Sequence, residues 1–257
     1  MRNILAIAGK ELRAYFHSPI AYIVMAVWSL FWGGLFYIYT QAYVTNSLRS
    51  TMSGRNAPFP TINEFIIRGM LQGMLMVVLL FLIPLITMRL YSEEKKSGTI
   101  ELLLTSPLSD LQIILGKYLG ALALYVTLIA LSLLYFGLLF IYGNPDVKPL
   151  LANVLGLLLY GATLLALGMW ISTFTKNQII AGVVAMVMFL LLFVLNWPSQ
   201  VSFNSVTQVL SYVSLGSHLD NFAKGVIDLP DVVYYLSAIL LGLFLTARSV
   251  DALKGRA

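Results

Sequence analysis

The chain reads as long apolar runs separated by short charged clusters. Stretches free of Asp, Glu, Lys and Arg cover Ala14–Leu48, Gly69–Met88, Tyr118–Pro145, Pro149–Thr175, Asn177–Leu219 and Val232–Ala247, which are 35, 20, 28, 27, 43 and 16 residues long. A helix needs about 20 predominantly apolar residues to cross a bilayer. The first five stretches qualify directly. The sixth does so with the uncharged Leu229 and Pro230 before it and with tilt or local thinning of the bilayer. The pattern predicts an all-α, polytopic membrane protein built as a single transmembrane domain over 1–257, with six transmembrane helices near 20–41, 70–89, 118–142, 150–173, 178–196 and 231–248. The 43-residue stretch exceeds one span and is interrupted at Asn196-Trp197-Pro198.

Between the spans the periodicity changes character. In residues 1–17, Ile4, Leu5, Ala8, Leu12, Tyr15 and Phe16 share one helical face and Arg2, Lys10 and Arg13 the opposite one. That predicts an interfacial elbow helix, read first as a membrane anchor and alternatively as an elbow that also touches a partner, ended by His17-Ser18-Pro19. In 90–117, Thr99–Thr105 is expected to form a short helix with Ile100, Leu103 and Leu104 on one side, limited by Pro107. Ser109-Asp-Leu-Gln112 is a capping box that starts a new helix running through Lys117 into the third span. In 197–230, Val206, Val209, Leu210 and Val213 follow helical spacing among Asn204, Ser205, Gln208 and Ser211, as a short helix at or dipping into the outer leaflet would. Gly69-x-x-x-Gly73 and Gly116-x-x-x-Gly120 allow close helix approach, Pro84 kinks the second span, and Tyr43–Phe65 is expected to be a long outer loop.

Composition narrows the class. Of 257 residues 59% are hydrophobic and 11% charged, and the mean hydropathy is +0.86. A soluble domain carries about 25% charged residues, so the chain lacks the polar groups to cover a folded surface in water. A soluble enzyme, a disordered chain and a nucleic-acid-binding protein are excluded despite the net charge of +5. Placement of the charges predicts orientation. With the N-terminus cytoplasmic, Arg2, Lys10, Arg13, Arg89, Lys95, Lys96, Lys117, Lys176, Arg248, Lys254 and Arg256 fall inside, against Arg49, Arg55, Arg68, Lys148 and Lys224 outside. Eleven against five is the bias of cytoplasmic loops, and it puts both termini in the cytoplasm.

Familiar chemistry is missing. The chain has no cysteine, which excludes disulfides and thiolate metal sites. It has no G-x-x-x-x-G-K-[ST] phosphate loop, and its two histidines, His17 and His218, fall on opposite sides of the membrane, so no catalytic, cofactor or metal site is expected. No predicted span carries a charge at its centre, which disfavours an ion-coupled secondary transporter. Energy for any active transport then arrives from outside the bilayer. On composition alone the run Glu93-Glu94-Lys95-Lys96 reads first as a charged, solvated helix end.

The string Tyr91-Ser-Glu-Glu-Lys-Lys-Ser-Gly-Thr-Ile-Glu-Leu-Leu-Leu-Thr-Ser-Pro107, followed by Gln112-Ile-Ile-Leu-Gly-Lys117, resembles ABC transporter permeases of the ABC-2 type. Lys10-Glu-Leu-Arg-Ala-Tyr-Phe-His-Ser-Pro19 and Phe222-Ala-Lys-Gly-Val-Ile-Asp228 resemble their gliding-motility and nitrous-oxide-reductase-maturation branch. The resemblance implies a permease of the bacterial cytoplasmic (inner) membrane without ATP hydrolysis of its own. Its partners would be a cytoplasmic ABC ATPase that binds the ATP, a second permease copy or a paralogous permease, the lipid membrane, and a periplasmic accessory protein, with no nucleic acid. It implies that 90–117 is a cytoplasmic coupling loop. Glu93, Glu94, Gly98, Thr99, Glu101 and Leu104 would serve the ATPase contact, with Glu94, Gly98 and Glu101 first for contact or loop geometry. It implies re-entrant helices in 197–230, with Val206, Val209, Leu210 and Val213 as an outer gate. An anchoring subunit of an envelope machine such as a gliding apparatus stays open as the alternative, and the substrate is not legible.

Overall fold

The computed structural model describes residues 2–17, 19–52, 59–100, 108–198 and 204–254. The described residues fold into helices: α1 (Arg2–Phe16), α2 (Pro19–Met52), α3, α4 (Ser92–Ser97), α5 (Asp110–Tyr142), α6 (Val147–Ser172), α7 (Gln178–Val194), α8 (Ser205–Val213), α9 (Leu219–Ala223) and α10 (Leu229–Lys254). The composite α3 begins as two π-helical stretches, Asn63–Ile67 and Gly69–Leu75, and continues as the α-helix Met76–Thr87.

Five of these helices are long and apolar enough to cross a membrane, and α7, with 17 residues, is shorter. Contacts nevertheless place α7 between the same two ends of the bundle as the others. Its Gly182 lies against Met88 just after α3, and Phe193 near its far end lies by Gly216. The five long helices and the shorter α7 are therefore antiparallel in succession; the span expected near 178–196 is present as a helix below the length of the others. Helix α1 and the last turns of α10 lie at one end, here called the elbow end; α8, α9 and the first turn of α10 lie at the far end.

Helix α6 is the axis of the bundle. Its most apolar window is 72% buried, against 17% for α2 and 22% for α10. It packs against α3, α5, α7, α9 and α10. Glycine makes this possible: at Gly161 the backbone of α6 lies so close to the Tyr125 ring of α5 that a Cβ would overlap it. The Tyr125 hydroxyl in turn donates to the Leu157 carbonyl at 2.6 Å. Helix α2 attaches to α5 by polar bonds. Trp28 donates to Ser132 Oγ and Trp32 to the Ser132 carbonyl, both at 3.0 Å, and the two indoles stack with centroids 6.0 Å apart. Lipid tails solvate apolar surface as well as a neighbouring helix does, so close approach and interhelical hydrogen bonds set the pairing.

Two expectations are corrected. The segment Tyr43–Phe65 is not one long loop: α2 continues through Met52, since no Gly or Pro interrupts 35–53. The second span starts at 63 rather than 70, because Thr61 and Glu64 form a reciprocal cap: the Thr61 N–H donates to Glu64 at 3.0 Å and the Glu64 N–H to Thr61 Oγ1 at 3.3 Å. That T-x-x-E signal is visible in the sequence. The other boundaries hold within a few residues, apart from the longer α10, which runs on to Lys254.

The far end is closed by a polar knot. His218 Nδ1 lies 2.7 Å from Asp231 and its Nε2 2.9 Å from the Tyr212 carbonyl, with the ring stacked on Tyr234 at 3.8 Å. Asn221 donates to the other Asp231 oxygen at 2.8 Å. Helix α8 starts at Asn204, whose side chain accepts from the Thr207 N–H in a capping box.

Candidate functional site

The charged run after α3 is not simply a solvated helix end. Ser92–Ser97 folds as the short helix α4, with Glu93 and Glu94 in its first turn and Lys95 and Lys96 in its last, the order that complements the helix dipole. Gly98 ends it at φ 73°, the left-handed conformation that glycine adopts without steric penalty. The Ser97 hydroxyl accompanies the turn, donating to the Glu93 carbonyl at 2.9 Å and lying 2.8 Å from Thr99 Oγ1. Helix resumes at Thr99 and Ile100. Glu101 and Leu104, with the rest of the expected Thr99–Thr105 helix, lie outside the described residues.

Helix α1 reaches this region along α5. The two run in parallel register, with Asn3 donating to Gln112 at 3.4 Å and Ile7 and Glu11 lying over Gly116 and Gly120. The Gly116-x-x-x-Gly120 pair is therefore a seat for α1. Gly69 also serves a close approach, to the Tyr39 ring of α2, whereas a Cβ at Gly73 would meet nothing. The seat turns α1 relative to its hydrophobic face: Leu5 points outward, 67% exposed, and Ile7 and Glu11 take the inner positions. Ser109 caps α5 as expected, while Gln112 faces Asn3 instead of completing the box.

Lys117, one residue past Gly116, is the centre of the site. Its side chain is 2% exposed, yet it carries an ammonium. Its Nζ lies 2.6 Å from Glu94 of α4 and 2.9 Å from Glu11 of α1, and 5.4 Å from the centroid of the Tyr91 ring. A buried charge is retained only when paired and hydrogen-bonded, and this one joins three elements. Burial raises the Glu94 carboxyl above the usual carboxylate range, and the Lys117 ammonium pulls it back. The second Glu94 oxygen is buried without a hydrogen-bond partner among the described residues. Glu93 faces outward and pairs with Arg89 at 2.9 Å, an exposed i,i+4 contact worth a few tenths of a kcal/mol. On the other flank of α4, Lys95 donates to the Thr173 carbonyl just past the end of α6. Burial and the nearby Lys176 lower its pKa.

A pocket of about 300 Å³ remains between α1 and α4, lined by Lys10, Glu11 and Tyr15 on one side and by Glu93, Glu94 and Thr99 on the other. The structure thus brings Glu93, Glu94, Gly98 and Thr99 into one corner, with Glu94 turned inward and Glu93 outward. It adds Lys117 and Glu11, which sequence reasoning did not single out. The signal was present: a lysine at the mouth of an apolar span, and a glutamate flanked by cations on an otherwise basic helix. At the far end, Val206, Val209 and Val213 lie on the exposed face of α8 and Leu210 is half-buried. His17 and His218 lie at opposite ends of the bundle.

A bundle of apolar helices, five of them long enough to span a membrane, with a short, tethered helix and an elbow helix at one end defines a polytopic membrane protein. The chain belongs to the ABC-2 family of transporter proteins, whose model matches residues 5–227. It is thus a transmembrane subunit of the ABC transporter class, a part that crosses the membrane and does not itself carry out catalysis. The chain matches no individual curated protein.

Proposed function

We propose that the chain is the permease of an ATP-driven exporter in the bacterial inner membrane, with α1, α4 and both termini cytoplasmic, and that 90–117 is the coupling loop that receives a separate ABC ATPase. The single observation that carries this reading is α4 itself. It is a six-residue helix capped by Gly98 and held on one flank by Glu94–Lys117 and on the other by Lys95–Thr173. A helix this short has no stability of its own, so a push on it passes through these tethers to α5 and α6. Glu93, Thr99, Glu101 and Leu104 then serve contact with the ATPase, while Glu94 and Gly98 serve the geometry of the loop. The eleven-to-five distribution of cations supports a cytoplasmic elbow end.

Helix α6 fills the centre of the single chain, so the substrate path runs between two permease copies, with 197–230 on the outer side and Val206, Val209, Leu210 and Val213 at its gate. The opening segment Lys10–Pro19 and Phe222–Asp228 favour the gliding-motility and nitrous-oxide-reductase-maturation branch. Co-purification with a candidate ABC ATPase from the same organism tests the reading. Glu101→Lys is expected to lose the ATPase or the dependence of its turnover on the permease. Intact binding with unchanged ATPase activity would overturn the coupling-loop assignment.

A further inference from the structure

We propose that Lys117 is the joint that makes α1 move as one body with the coupling segment, so that the elbow helix is a lever rather than only an anchor. The inference rests on the coupling-loop reading of 90–117 and assigns Lys117 and Glu11 as positioning residues within it.

The argument starts from charge. One ammonium faces two carboxylates from separate elements, Glu94 of α4 at 2.6 Å and Glu11 of α1 at 2.9 Å. Packing does not join α1 to α4 here, because a pocket of about 300 Å³ lies between them. The ammonium bridges its edge. Without Lys117, two carboxylates of like charge would face each other in a poorly solvated corner, so its removal drives the elements apart instead of merely loosening them. The tether on the other flank differs. Lys95 reaches a single backbone carbonyl at the end of α6 and engages one element. Burial also distinguishes the two: the Lys117 side chain is 2% exposed and faces the Tyr91 ring, with Glu11 and Glu94 each 18% exposed, so water screens the bridge less than it does a surface pair.

Helix α1 is seated so that Glu11 reaches the ammonium. It rests on α5 through Gly116 and Gly120, over which its Ile7 and Glu11 side chains close: a Cβ at each glycine would stand 2.6 Å from the Ile7 Cβ and 2.7 Å from the Glu11 Cβ, respectively. Its outer face, with Arg2, Lys10 and Arg13, is exposed. A displacement of α4 therefore reaches α1 through Lys117.

The cysteine-free chain allows a direct test. Spin labels are placed through Arg13→Cys on α1 and Lys96→Cys on α4, both exposed, in nanodiscs holding the permease with its ATPase. A reference pair uses Arg13→Cys with Arg248→Cys on α10. With Lys117 present, the Arg13–Lys96 distance is expected to be a single narrow peak, the same without nucleotide and with ATP and vanadate, while the reference distance shifts. Lys117→Met is expected to lose the narrow peak and to abolish ATPase stimulation by the permease, with the ATPase still co-purifying. Lys117→Arg, which keeps the charge, is expected to restore both. Glu11→Gln, a milder change, is expected to broaden the same peak, so the test does not depend on the folding of Lys117→Met. A narrow, nucleotide-independent peak in both Lys117→Met and Glu11→Gln would overturn the proposal, as would a peak that shifts with nucleotide in the parent. Failure of the ATPase to bind the labelled parent would strike the coupling-loop reading instead. The bridge would then still be read from the same peak in the permease alone, where its survival in the two variants overturns the joint.

Discussion

Gly120 lies directly beneath Glu11: a Cβ on Gly120 would stand 2.7 Å from the Glu11 Cβ. The bare backbone at this position is what lets α1 settle onto α5 and brings Glu11 to Lys117. Gly120→Ala should therefore push α1 outward, at a cost of about 1–3 kcal/mol for overpacking. The checks are a lower midpoint of thermal unfolding in detergent and a Glu11–Lys117 pair no longer protected from carboxylate-modifying reagents. A midpoint at or above the parent's would show that α1 is seated elsewhere.

Gly98 has open space around the position of a Cβ, so a side chain there meets no clash. Its φ of 73° is the obstacle. Gly98→Ala should cost about 1–2 kcal/mol of the local turn, and Gly98→Asn less, since Asn tolerates the left-handed region. Hydrogen exchange of the amides of 92–100 is expected to rise in the order parent, Asn, Ala.

Burial sets the Glu94 carboxyl above its unfolded value of 4.5. As pH falls from neutral, the folded chain binds a proton at Glu94 before the unfolded chain does. The ionised form thus costs stability at neutral pH, and that cost is relieved on acidification toward the carboxylate range. The stability of the parent relative to Glu94→Gln should rise between neutral pH and that range. Parallel unfolding midpoints for the two proteins across this interval would contradict the assignment.

At the far end, Asp231 accepts from Asn221 and faces His218, with its side chain 9% exposed. Asp231→Ala leaves the buried His218 Nδ1 unmatched, at a cost of about 1–3 kcal/mol, while Asn221 keeps its bond to Asp228. A lower unfolding midpoint, with faster exchange in α8 and α9 than in α5 or α6, is the expected result. Uniform exchange across the chain would mean that the knot does not hold these helices.

Much of the architecture was legible along the chain because the bilayer imposes it. An apolar run of span length has few alternatives to a helix, and charges mark where the runs end. The cap at Ser109, the amphipathic N-terminal helix and the helical spacing of Val206–Val213 were readable for the same local reasons. The roles of Gly116 and Gly120 were half legible. Their spacing announced a close approach but not that α1 would be the visitor, because which helix fills a groove depends on residues far away in sequence. The inward turn of Glu94 was not legible at all: in sequence it is one of four adjacent charges, indistinguishable from Glu93.

The sequence by itself determined the class, the succession of apolar helices and the separation of charged from apolar segments. These follow from the cost of placing charge or unbonded backbone in hydrocarbon, a cost paid residue by residue. Only the tertiary structure decided that α6 is the axis, that α1 lies along α5, and that Lys117 holds Glu11 and Glu94 together. Those outcomes depend on a glycine meeting a ring on another helix, or an ammonium meeting one carboxylate 106 residues away and a second on a different element, and no local pattern encodes the distance between them.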